Sequence, residues 1–151
     1  MADSRNSNRP NPFDVTACTL ANVRKASRAI SQVYDGALQS ADIKATQFTL
    51  LATLSKQGQL PLSQLANHMV MDRTTLTRNL QPLLKRDLVA IAPGEDRRVR
   101  NVQLTAKGKR LLETALPLWR QAQSQLVDGL GRDRWANLLG DLSAAVELTQ
   151  E

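Results

Sequence analysis

One stretch of the sequence decides the fold: Asp72-Arg73-Thr74-Thr75-Leu76-Thr77-Arg78-Asn79-Leu80, which follows a short break at Val70-Met71. Asp72 is a residue type that caps helices, because its carboxylate can accept hydrogen bonds from the first free N–H groups. After it, leucines recur at three- and four-residue spacing, which predicts a helix that continues to about Arg86. That spacing turns the leucines inward and leaves an outward face of basic, hydroxyl and amide side chains, which comprises Arg73, Thr74, Thr77, Arg78 and Gln81, with Thr75 at its edge.

The segments on either side of this helix complete a winged helix-turn-helix pattern. Upstream, a helix at about 45–57 ends at Gly58, and Pro61 is expected at the first position of a short helix. Downstream, the apolar period changes from 3.6 to 2, which predicts two strands at 88–92 and 99–104. The loop between them, Pro93-Gly94-Glu95-Asp96-Arg97-Arg98, makes a basic β-hairpin. In this motif, the third helix is the one whose N-terminal residues enter the DNA major groove.

The outer parts of the chain predict three more helices and a fold that is mainly α with a small β-hairpin. Apolar spacing predicts helices at about 16–38, 106–128 and 134–148, with Thr105 as the cap of the second and Pro117 as a point where it could kink. A compact winged helix offers no cover for their apolar stripes, so a second subunit is the expected partner. We therefore expect a disordered tail at 1–14 and a single domain at 15–151, with dimerisation helices at 16–38 and 106–149 around a winged helix-turn-helix at 45–105.

The charge distribution favours a polyanionic partner. Of the 20 basic and 14 acidic residues, ten basic and only four acidic ones lie between Asp72 and Arg110, so this window carries the whole net charge of +6. Neutralisation of phosphates dominates DNA affinity. On the outward helix face, arginine can form a bidentate pair with guanine, and threonine can contact a thymine methyl group or a phosphate. A plain solvated surface is the alternative interpretation of the same residues.

The hairpin tip predicts a second DNA contact. Asp96 precedes Arg98 by two residues, so its carboxylate could hold the guanidinium in one orientation for insertion into a narrow minor groove. An exposed ion pair without function is the alternative. Together with the helix face, the predicted DNA-binding set is Arg73, Thr74, Thr75, Thr77, Arg78, Gln81, Asp96, Arg97 and Arg98.

Several motifs in this order resemble those of the MarR (multiple-antibiotic-resistance regulator) family over about residues 16–148. They are the Asp72–Leu80 stretch, Asp87-Leu88-Val89, Asp96-Arg97-Arg98 and Leu104-Thr105-Ala106-Lys107-Gly108. The resemblance implies an obligate homodimer with interlocked terminal helices, and DNA contact through the residues from Arg73 to Arg78 and through Arg98 held by Asp96. It also implies a transcription regulator, in many cases a repressor that leaves DNA when a small anionic or phenolic effector binds. Two-fold symmetry then predicts a pseudo-palindromic operator.

The sensing mechanism has two interpretations. Tyr34 and Trp119 could line an effector cleft, although both residue types also suit a core. Alternatively, Cys18 could act as a peroxide-sensing thiol, as a cysteine does in one branch of the family. That branch's cysteine aligns with Leu20 rather than Cys18, and one of its two supporting tyrosines aligns with Ala45, so a plain helix cysteine is the competing interpretation.

The composition argues against other classes of protein. A single histidine, His68, and a single cysteine cannot form a His/Cys zinc site, and we find no phosphate loop or nucleophile motif, so neither catalysis nor a cofactor is expected. No apolar run is long enough to span a membrane, and the N-terminus has no secretory pattern, which favours the cytoplasm. A winged helix used only for protein contacts is the remaining rival, but the basic outward face argues against it.

Overall fold

The computed structural model describes residues 9–96 and 98–149. The chain divides between Val33 and Tyr34 into two compact units. Its helices are α1 (Thr19–Leu38), α2 (Ala45–Gln57), α3 (Leu62–His68), α4 (Arg73–Lys85), α5 (Ala106–Leu130) and α6 (Arg132–Glu147), with 3-10 turns at Val15–Ala17 and Gln39–Ala41. Its strands are β1 (Leu60–Pro61), β2 (Val89–Pro93) and β3 (Arg100–Leu104). The fold is thus mainly helical with a small antiparallel sheet, as the sequence predicted.

The helix bounds agree with the predicted ones to within about three residues, and the largest difference has a local cause. Helix α1 begins at Thr19 rather than at about 16, because Asp14 caps a separate 3-10 turn: its Oδ1 accepts the Thr16 N–H at 2.8 Å. Helix α5 continues through Pro117 to Leu130. Residues 1–8 of the predicted tail, together with Gln150 and Glu151, lie outside the described residues.

The sheet contains a third strand that the sequence analysis missed. The strand order is β1-β3-β2, so β3 is central, and Val102 on it pairs with Leu60 on one side and Ile91 on the other. Pro61 ends β1 and precedes α3, so the expectation that it is the first helical residue was wrong. A strand of two residues is too short to show an alternating pattern. The hairpin is therefore tied to the segment that leads into α3.

Helices α3 and α4 both end in a residue of left-handed conformation. After α3, the Met71 N–H bonds to the Ala66 carbonyl at 2.9 Å and the Val70 N–H to the Asn67 carbonyl at 3.1 Å, with Val70 at φ +50°. This pair of bonds is a Schellman motif, in which glycine usually occupies the left-handed position. Helix α4 ends in the same pair of bonds, with Asp87 at φ +56°. The chain therefore turns sharply on both sides of α4.

One leucine-rich core holds α2, α3, α4 and the sheet together. The buried side chains of the described residues are all apolar, and the largest fully buried ones are Leu38, Leu50, Leu51, Leu54, Leu65, Leu76, Leu80, Leu83, Leu88 and Val102. Leu76, Leu80 and Leu83 lie on α4, as the leucine spacing predicted. Their burial fixes which face of α4 is turned to solvent.

The terminal helices carry exposed apolar side chains. Helix α6 has no buried residue within the described range, and Leu138, Leu139, Leu142 and Val146 are exposed along it. In the N-terminal unit, Leu20 and Val23 of α1 are also exposed. No helix among the described residues is both long enough and apolar enough to cross a membrane.

Candidate nucleic-acid interface

The first turn of α4 is fixed by two hydrogen bonds between Asp72 and Thr75. The carboxylate accepts the Thr75 backbone N–H at 2.8 Å and the Thr75 hydroxyl at 2.7 Å. These two hydrogen bonds hold the pKa of the Asp72 carboxyl below its usual value of 3.8. Thr75 is half-buried, and its hydroxyl proton is used in the cap, so it has a structural role that the sequence analysis did not foresee. The cap sets the position from which the outward face of α4 begins.

The outward face brings five of the predicted DNA-binding residues together. All five are exposed and line one shallow depression of about 520 Å³, namely Arg73, Thr74, Thr77, Arg78 and Gln81. The Thr77 hydroxyl donates to the Arg73 carbonyl at 2.7 Å, so its proton is used within the helix while its oxygen can still accept a hydrogen bond. No ion pair joins either arginine to an acid in the described part of the chain. With respect to the described residues, both guanidinium groups are therefore available to bind an anionic or hydrogen-bonding surface.

The hairpin tip is organised by its backbone. The Gly94 N–H donates to the Val99 carbonyl at 2.7 Å, and the Val99 N–H donates to the Asp96 carbonyl at 2.8 Å. The Asp96 carboxylate accepts the backbone N–H of Arg98 at 2.9 Å. The predicted pairing of this carboxylate with the Arg98 guanidinium is absent from the ion pairs of the described residues, because an aspartate readily bonds the backbone two residues ahead. Arg98 is exposed, whereas Arg97 lies outside the described residues.

Thr105 and Gly108 fix the junction between the hairpin and α5. The Thr105 hydroxyl donates to the Asp87 carbonyl at 2.6 Å, and its oxygen accepts the Gly108 N–H at 3.0 Å. A Cβ atom on Gly108 would collide with the Leu88 backbone. The motif Leu-Thr-x-x-Gly thus has a physical reason here: threonine caps α5 and joins it to the end of α4, and glycine permits close packing.

The candidate sensing residues are placed separately from the α4 face. Trp119 stacks on Phe48 with ring centroids 5.8 Å apart and on Tyr34 with centroids 6.4 Å apart. The Tyr34 hydroxyl is hydrogen-bonded to Gln123 Oε1, and burial raises the pKa of this hydroxyl. Tyr34 and Trp119 are half-buried, so they form a core cluster with partial access to solvent.

Cys18 and His68 both lie at helix ends and are exposed. Cys18 immediately precedes α1, and its carbonyl accepts the Asn22 side-chain amide at 2.9 Å. His68 is the last residue of α3. Among the described residues, no group of three His, Cys, Asp or Glu side chains could hold a metal ion.

A helix-turn-helix packed on a leucine core, a capped helix α4 with an exposed basic face and an adjoining hairpin with exposed arginine define a winged helix-turn-helix DNA-binding regulator. Within that class the chain belongs to the MarR family, as the sequence motifs indicated. The model of this family matches residues 43–99, which contain the whole helix-turn-helix and the hairpin tip.

Individual relatives support this assignment. The transcriptional regulator FarR of Neisseria gonorrhoeae is 30% identical over 121 residues, which cover 80% of this chain and 82% of FarR. The transcriptional repressor NicR of Pseudomonas putida is 29% identical over 73% of this chain and 70% of its own. The transcriptional regulator MosR of Mycobacterium tuberculosis, in its crystal structure in complex with DNA, has 36% sequence identity to this chain. The two structures superpose with a TM-score of 0.78 over 89% of this chain and 99% of the MosR chain. The protein is accordingly a transcription regulator of the MarR family.

Proposed function

We propose that this protein is a homodimeric repressor that binds a pseudo-palindromic operator through α4 and the β2–β3 hairpin. The observation that carries the proposal is the exposed face of α4, where Arg73 and Arg78 flank threonine hydroxyls without an acidic partner among the described residues. Arginines on the first turns of such a helix suit guanine edges and phosphates. The name of NicR, a repressor, and the DNA complex of MosR support this direction of regulation and this ligand.

The dimer is supported by the apolar side chains that the terminal helices leave in solvent. Leu138, Leu139 and Leu142 lie on α6 at spacing that forms a stripe, and none is buried within one subunit. Burial of apolar area drives most protein association, and a two-fold dimer buries the same stripe on both subunits. A second chain is therefore the occupant that we propose for this surface.

A small aromatic or anionic effector is the signal that we propose for release from DNA. The half-buried cluster of Tyr34, Trp119 and Phe48 offers aromatic faces, and the Tyr34–Gln123 pair offers polar groups that a ligand could engage. We also propose that the protein acts in the cytoplasm and catalyses no reaction, since DNA binding accounts for the exposed polar surface of α4.

Footprinting of the purified protein on genomic fragments tests the proposal. We expect protection of sites with two half-sites centred about 10 base pairs apart, bound by two subunits. Sedimentation at micromolar concentration should give a dimer of the 16.7 kDa chain. A monomer, or binding that is indifferent to both sequence and salt, would contradict the proposal.

Peroxide sensing is a second candidate because the Cys18 thiol is exposed. The organic hydroperoxide would oxidise the thiol to a sulfenic acid and itself be reduced to an alcohol. The wild type and Cys18→Ser should then differ in peroxide-triggered release of DNA. Equal behaviour of the two proteins would leave the effector pocket as the sensing site.

A further inference from the structure

Arg86 joins the C-terminal end of α4 to the connector between α1 and α2. It is the residue that follows Lys85, the last residue of the helix, and its Nη1 donates to the backbone carbonyl of Asp42, 44 positions earlier. Its Nη2 lies 3.6 Å from the Asp42 carboxylate. The Arg86 side chain is only 34% exposed, whereas the neighbouring Lys85 is exposed. Arg86 is therefore committed to a contact within the protein.

The acceptor of this contact is held rigidly. Asp42 adopts a left-handed conformation at φ +52°, its N–H bonds to the Gln39 carbonyl at 3.0 Å, and its neighbour Ile43 is buried. Leu38, on the other side of the connector, is buried as well. The Asp42 carboxylate is 95% exposed, and ion pairs in such positions contribute little. The main part of the contact is thus the hydrogen bond from a charged donor to a fixed backbone carbonyl.

Arg86 also lies away from the predicted DNA-contacting face. Together with Pro82 it lines a cavity of about 560 Å³, whose wall includes Asp35 and Lys44. The outward face of α4, from Arg73 to Gln81, lines a different depression. The Arg86 guanidinium therefore does not belong to the group of side chains that lines the outward face of α4.

We infer that Arg86 is a positioning residue, which sets the orientation of α4 on DNA by holding its C-terminal end to the Asp42 carbonyl. The inference rests on the proposed function. Helix α4 has 13 residues and is about 20 Å long, so a tilt of about 10° at its C-terminal end moves its N-terminal residues by about 3 Å. Such a movement exceeds the tolerance of a hydrogen bond to a base edge. The leucine core holds the helix against the protein, and Arg86 adds a directional restraint.

The test measures operator binding at several salt concentrations for the full chain and four variants. Arg86→Ala should weaken binding by about tenfold, which corresponds to about 1.4 kcal/mol, with an unchanged slope of log affinity against log salt. Preference should relax across the whole half-site, because the entire helix is displaced. Arg86→Lys keeps the charge but loses the planar guanidinium with its two Nη donors, so its affinity should lie between those of Arg86→Ala and the wild type.

Two variants serve as matched controls. Lys85→Ala removes an adjacent exposed charge and should change affinity less than twofold. Asp42→Asn keeps the backbone carbonyl and should bind as the wild type does. A fall of about one in the salt slope of Arg86→Ala would reassign Arg86 to a phosphate contact. Wild-type affinity in Arg86→Ala, or a loss in Asp42→Asn as large as in Arg86→Ala, would also overturn the inference.

Hydrogen exchange on the free protein separates this inference from the proposed function and from a folding defect. Amides in the last turn of α4 should exchange faster in Arg86→Ala, while those of β3 remain protected. Unchanged exchange in the last turn of α4 would contradict the inference even if DNA binding falls. If the wild type binds no operator but the exchange difference is present, the proposed function fails and the restraint on α4 stands.

Discussion

A Cβ atom on Gly108 would lie 2.0 Å from the carbonyl oxygen of Leu88, which is backbone and cannot rotate away. Gly108→Ala should therefore force α5 away from the hairpin and reduce the free energy of unfolding by about 1–3 kcal/mol. Urea denaturation at a fixed protein concentration measures the change. Gly129→Ala, where a Cβ would meet nothing within 4 Å, is the control and should leave stability the same or raise it. A neutral Gly108→Ala would show that α5 does not pack this closely in solution.

The turn between α3 and α4 should become more stable if Val70 is replaced by glycine. A left-handed conformation costs an L-residue about 1–2 kcal/mol, and the flexibility of glycine in the unfolded chain offsets about half of the gain. Val70 is 57% exposed, so little buried area is lost. We expect Val70→Gly to raise the free energy of unfolding by about 0.5–1 kcal/mol. Asp87→Gly, at the corresponding position after α4, should gain less because aspartate tolerates this conformation. Destabilisation by Val70→Gly would mean that its side chain packs.

The contribution of the Asp72 cap should depend on pH in acid. Its pKa is lowered in the folded protein, so its stabilisation is fully present above the ordinary value of 3.8 and is lost as the pH falls through the lowered value. The difference in Tm between the wild type and Asp72→Ala should therefore be constant near neutral pH and shrink below about pH 3.8. Asp72→Asn can accept the same N–H without titrating, so its own difference from Asp72→Ala should change less. If the Tm difference between the wild type and Asp72→Ala stays constant in acid, the stabilisation by the cap does not depend on the charge of the Asp72 carboxylate.

Arg98 should contribute to binding of all DNA sequences. Its side chain is exposed at the hairpin tip, so Arg98→Ala should weaken specific and non-specific binding alike and reduce the salt slope by about one. The Asp96 carboxylate bonds the backbone N–H of Arg98, so Asp96→Ala should loosen the turn and reduce affinity in part. Asp96→Asn retains this acceptor and should bind at least as tightly as the wild type. If Arg98→Ala binds normally, the hairpin is not a DNA contact.

Arg73 and Arg78 should determine base preference. Loss of a bidentate guanine contact costs about 1–3 kcal/mol and relaxes preference at one position. At least one of Arg73→Ala and Arg78→Ala should show this in titrations against single-base operator variants. The corresponding lysine variants keep the charge without the planar fork, so they should retain the salt slope but lose the preference. Unchanged affinity and preference in both alanine variants would mean that α4 does not read the operator.

The sequence was informative where a local pattern repeats. Leucines spaced along α4 were sufficient to predict its buried side, and hence the exposed face that begins at Arg73. The end of α2 at Gln57 was predicted because Gly58 is a strong stop signal, and the start of α5 at Ala106 because Thr105 is a strong capping residue. These features depend on neighbours within one or two turns, so no tertiary information was needed.

Contacts between residues far apart in the sequence could not be predicted in this way. Nor could the choice between two hydrogen-bond donors that both lie within a few residues. Strand β1 has two residues and exists only because Val102 pairs with it. The contact from Arg86 to Asp42 spans 44 positions and has no local signature. For Asp96, two acceptable partners were nearby, the Arg98 backbone and its guanidinium, and spacing alone could not distinguish them.

The two prolines that end β1 and β2 have a consequence for behaviour at high concentration. Because the strand order is β1-β3-β2, β1 and β2 are the two edge strands of the sheet. The bonds from Thr105 to Leu88 and from Gly94 to Val99 set the hairpin alternation, so position 93 faces away from β3. Pro93 therefore removes an N–H that a strand from another molecule would need, and Pro61 takes one of the two residues of β1 out of such pairing. The edge strands of this small sheet thus resist pairing with strands of other molecules, which is the first step of cross-β aggregation.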